Sequence, residues 1–81
     1  MIRGREQVGE DSEEIETWTG KKIRVTAVKN RDKTDRAEYD AYYQILEGPK
    51  NVQYPRAAGE SVEACLESAR RKINETEKGL Q

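Results

Sequence analysis

The chain has 81 residues, with 33% apolar side chains, 38% charged side chains and a formal net charge of −1. That is one small domain with few residues to spare for a core. Histidine is absent and Cys65 is the single cysteine, which excludes Cys/His zinc clusters, histidine-activated nucleophiles and an intramolecular disulfide.

Residues 1–20 carry Arg3 and Arg5 against Glu6, Glu10, Asp11, Glu13, Glu14 and Glu16, a local charge of −4. Apolar periodicity is missing before Ile15. The reading is an acidic, disordered tail over residues 1–17, with a single small domain over 18–81. Trp18, the only tryptophan, stands at the border. It either closes one end of the core or sits on an exposed sheet face, where it would serve as a binding anchor.

Lys22–Lys29 (KIRVTAVK) alternates with a period of two. Ile23, Val25 and Ala27 share one face, while Lys22, Arg24 and Thr26 share the other. The polar run Asn30–Arg36 lacks Gly and Pro, so it reads as a long hairpin loop. Glu38–Glu47 (EYDAYYQILE) is the second strand, with Tyr39, Ala41, Tyr43 and Ile45 on the face toward the core. Gly48-Pro49 signals a turn, and Asn51–Tyr54 reads as a short third strand stopped by Pro55.

Gly59–Gly79 reads as a complete amphipathic helix. Val62, Cys65, Leu66, Ala69 and Ile73 fall on one stripe. Ser61 is the expected N-cap and Gly79 the expected terminator. The fold class is therefore α+β: a three-stranded antiparallel meander followed by one C-terminal helix packed on one face, in the order β-β-β-α.

A single helix leaves the second sheet face uncovered. Trp18, Arg24, Asp40, Tyr42 and Leu46 are the expected partner-binding residues there. A homodimer using that face or a strand edge is expected, with Arg24 and Asp40 pairing across it. Residues 21–36 supply the alternative, a basic nucleic-acid surface made of Lys21, Lys22, Arg24, Lys29, Arg31, Lys33 and Arg36. The carboxylates Glu38, Asp40 and Glu47 read as ordinary strand charges. No catalytic, cofactor or metal site is expected, and the chain is not expected to be an enzyme. Cys65 on the apolar stripe reads as a small core residue of a reducing compartment. No apolar run approaches a membrane span or a signal-peptide core, so a soluble cytoplasmic protein is expected.

The helix start, Gly59-Glu60-Ser61-Val62-Glu63-Ala64, resembles that of HicB-type antitoxins. In that family a glycine, a polar residue and Ser/Thr precede a helix that begins hydrophobic, acidic, alanine. The resemblance covers about residues 22–73 and implies the partner-binding half of such an antitoxin. In place of the family's Pro-Asp-Leu-Pro-Gly-like connection stands GPKNVQYP. The β-β-β-α order is also similar to the C-terminal part of a double-stranded RNA-binding domain, but Glu60 and Glu63 occupy that family's basic cluster. The expected function is that of a small non-catalytic protein-binding or regulatory module, antitoxin-like or a phage-encoded inhibitor.

Overall fold

A computed structural model describes residues 2–31 and 36–79. The class is α+β, as expected, but the sheet has five strands rather than three. The elements are β1 (Ile2–Gln7), β2 (Ser12–Thr17), β3 (Lys22–Lys29), β4 (Tyr39–Glu47), β5 (Ala58–Gly59) and α1 (Val62–Gly79). The strands pair in chain order as an antiparallel meander.

The acidic tail is the main correction. Residues 2–17 form a hairpin that pairs Arg5 with Ile15 and Gln7 with Glu13. β2 then pairs with β3, placing Ile15 beside Ile23 and Glu14 beside Arg24. The strand-forming signal is the alternation of Glu13, Ile15 and Thr17, all buried, with Ser12, Glu14 and Glu16, all half-buried. Its charges conceal it, because each acid has a basic partner. Arg24 meets Glu14 at 3.2 Å, Arg3 meets Glu16 at 3.7 Å, and Arg70 meets Glu13 at 3.0 Å.

A tight turn joins β2 to β3. The Gly20 N–H donates to the Thr17 carbonyl, and Gly20 takes φ of 85°. A side chain at that φ is disfavoured, which is why glycine stands there. A second correction concerns the third strand. Asn51–Tyr54 forms no strand; the chain rejoins the sheet only at β5, opposite Tyr39 and Asp40. Pro55 is consistent with this, since it has no N–H for a ladder.

The helix begins as read. The Ser61 side chain accepts a hydrogen bond from the Ala64 N–H at 3.1 Å, and Glu63 lies in the first turn. Gly59 lets the helix start sit directly on β5: a Cβ there would lie 2.5 Å from the Cys65 nitrogen. The core consists of Ile15, Ile23, Val25, Ala27, Ala57, Cys65, Leu66, Ala69 and Ile73. Tyr39, Ala41, Tyr43, Ile45 and Val62 pack against it, as the helix stripe and strand faces require, together with Ile2 and Tyr54.

Candidate interaction surface

Two surfaces follow from this arrangement. The covered face of the sheet holds buried charge as well as apolar side chains. Lys21 and Glu77 are 4% and 1% exposed. Lys21 Nζ donates to Glu77 Oε1 at 3.0 Å, the Tyr54 hydroxyl donates to the same oxygen at 2.6 Å, and Thr19 Oγ1 donates to Oε2 at 3.2 Å. Burial alone would raise the Glu77 carboxyl. The hydrogen bonds from Tyr54, Lys21 and Thr19, with the Lys21 charge, outweigh it and hold the group below its usual value. Burial, then the hydrogen bond to Glu77, pushes the Tyr54 phenol up.

Tyr43 stacks at a tilt on Tyr54, with ring centroids 5.3 Å apart, and its hydroxyl donates to the Pro55 carbonyl. Burial, with a smaller contribution from Cys65, raises Tyr43 to about 12. Burial likewise raises the Cys65 thiol, which suits a packing role better than reactivity. The cluster as a whole fastens the last helical turn to the β2–β3 turn and to the segment before β5. A negative charge at a helix C-terminus is unfavourable by itself, and here the Lys21 ammonium compensates it.

Among the described residues, no helix covers the opposite face. Arg24 lies between Glu14 and Gln44 in register, and Thr26 lies between Ser12 and Tyr42. The Ser12 and Thr26 hydroxyls are hydrogen-bonded at 3.0 Å. Tyr42 is 63% exposed and Val28 is 50% exposed. Val28 stands opposite Asp40, one same-face step from the Thr26–Tyr42 pair, so Val28 and Tyr42 are diagonal neighbours. Trp18, 61% exposed, is in the β2–β3 turn and not on the sheet. Leu46 is half-buried at a bulge, where Ile23 pairs with Ile45 and Lys22 with Glu47.

The structure thus brings Tyr42, Arg24 and Asp40 onto one sheet face and sets Trp18 apart from them in the β2–β3 turn, with Leu46 at the bulge near the end of β4. Both Arg24 and Asp40 have partners within the chain. Arg24 is bound to Glu14, and Asp40 accepts a hydrogen bond from Arg56 at 2.8 Å. Val28 was missed because it breaks the alternation of strand-like residues toward the end of β3.

The basic set is dispersed. Lys21 is buried on Glu77, while Lys22 and Arg24 lie on the sheet face. Lys29, Arg31 and Arg36 are exposed around the β3–β4 connection. Lys33 falls outside the described residues. Among the described residues, no group of three or more His, Cys, Asp or Glu is placed to hold a metal ion. No described helix is long and apolar enough to cross a membrane. Comparison with models of known protein families, with curated proteins and with solved structures finds no match to this chain.

Proposed function

We propose that the chain is a small non-catalytic protein-binding module, of the regulatory kind that antitoxins and phage-encoded inhibitors represent. The observation that carries this reading is the uncovered sheet face, with Tyr42 and Val28 exposed side by side. An exposed aromatic beside an aliphatic residue gives burial, and the fixed ion pair of Arg24 and Glu14 beside them gives register. A cytoplasmic setting accords with a free, buried thiol at Cys65.

Site-specific photo-cross-linking tests the reading. A benzophenone side chain in place of Tyr42 is expected to capture a discrete protein in the native cell, and one in place of Glu67 on the helix is not. Capture from position 67 but not from position 42 sinks the reading. Capture of a second copy of the same chain would reassign the face to self-association, which sedimentation equilibrium measures directly. Among the described residues, the nucleic-acid alternative retains Lys29, Arg31 and Arg36 around the β3–β4 connection, with Lys22 on the face. It requires binding that falls steeply with salt.

A further inference from the structure

The outer edge of β4 is paired over less than half its length. β4 runs Tyr39–Glu47, but β5 pairs only with Tyr39 and Asp40, and the Ala41 N–H donates to the Ala57 carbonyl at 2.9 Å. In an antiparallel ladder the N–H and C=O of one residue point to the same neighbour, and those of the next residue point the other way. Ala41 points away from β3, so Tyr43 and Ile45 do too. Among the described residues no main chain meets the N–H and C=O groups of Tyr43 and Ile45 on that side. The chain instead turns away at Gly48 and returns at a distance. It leaves a groove of about 560 Å³ lined by Tyr43, Gln44, Ile45, Lys50, Val52, Gln53 and Tyr54. The stacked Tyr43 and Tyr54 rings and the Tyr43–Pro55 hydrogen bond hold that segment to the sheet.

We propose that this groove accepts an extended segment of a partner protein as an added strand on β4, with an acidic residue beside Lys50. Unpaired main-chain groups supply the ladder. Ile45, Val52 and Tyr54 supply contacts for alternate side chains. Lys50 is the one charged residue in the lining, so the groove selects negative charge. A second copy of this chain is a poor occupant. Its other open edge, β1, carries Arg3 and Arg5 against Glu6 alone and so offers Lys50 no net negative charge.

The proposal rests on the preceding reading only in that the chain binds a protein. It uses other residues, so loss of cross-linking at Tyr42 and loss of binding in the groove are separate results. The test is selection of displayed random nonapeptides on the full chain, followed by synthesis of the enriched peptides. Enriched peptides are expected to alternate apolar side chains and to carry Asp or Glu. Adding them should slow exchange of the Tyr43 and Ile45 amide protons. Ile45→Pro, which removes one outward donor, should weaken binding about tenfold. Lys50→Glu should weaken acidic peptides about fivefold. If Ile45→Pro alters the circular dichroism spectrum, Lys50→Glu and amide exchange decide. Selection of no peptide above background, binding unchanged by Lys50→Glu, or protection of β1 instead of Tyr43 and Ile45 overturns the proposal. So does a dimer of the chain alone in which those two amides are already protected.

Discussion

Removing Glu77 should damage this protein more than removing Lys21, although the two form one ion pair. Glu77 gathers donors from Lys21, Tyr54 and Thr19, and all three lose their acceptor when the carboxylate goes. When Lys21 goes, Glu77 keeps the Tyr54 hydroxyl at 2.6 Å and the Thr19 hydroxyl at 3.2 Å. Breaking a buried pair from one side costs about 3–5 kcal/mol. Glu77→Leu is expected near the upper end of that range and Lys21→Met near the lower end. A domain of this size has a total stability of roughly 4–12 kcal/mol, so either change consumes a large part of it. The double variant Lys21→Met/Glu77→Leu buries neither charge and should cost less than Glu77→Leu alone. Urea denaturation of the four proteins, at one temperature and salt concentration, gives the cycle. Additive losses, or a Glu77→Leu loss below about 1 kcal/mol, would refute the buried pair as the fastening of the helix end.

The pair also sets an acid limit. The folded Glu77 carboxyl titrates below its unfolded value, so its stabilisation is complete above about pH 5 and is lost as pH falls through the folded value; thermal melts from pH 7 to pH 2 should show this fall, and Glu77→Gln should flatten it. Ile73 is fully buried and Leu66 is 8% exposed, so Ile73→Ala should cost about 3–4 kcal/mol and Leu66→Ala about 2–3 kcal/mol by chemical denaturation. Gly59→Ala should lower the melting temperature well beyond Gly20→Ala, because its Cβ would meet helix backbone at 2.5 Å, which cannot rotate away, whereas Gly20 has open space and only a strained φ. Amide exchange should protect the Ile15 region of β2 nearly as strongly as β3, since β2 is an interior strand; exchange there as fast as in a free peptide would restore the tail.

The helix and the two long strands were legible because their apolar spacing is regular and their ends carry ordinary signals. Leu66, Ala69 and Ile73 on one side, and Ile23, Val25, Tyr43 and Ile45 on the other, match by spacing alone. The N-terminal hairpin was not legible. Its strands are written in Arg, Glu and Gln, with Ile15 as the only fully buried apolar residue of the hairpin. A strand of that kind gains its stability from cross-strand pairing and ion pairs, and sequence spacing does not reveal which distant partner neutralises which charge.

A small α+β domain, a capped helix with one apolar stripe, and a sheet with one face left over are all written in the chain's local pattern. Those properties follow from local periodicity and from the conformational preferences of single residues. Long-range packing buries Lys21 and Glu77, gives Arg24 and Asp40 partners within the chain, and sets Val28 beside Tyr42 on the open face. The same packing sets where β4 loses its neighbour, leaving Tyr43 and Ile45 beside a groove. Charges and strand edges acquire their roles from partners far away along the chain, and a one-dimensional pattern does not specify which partners fold against them.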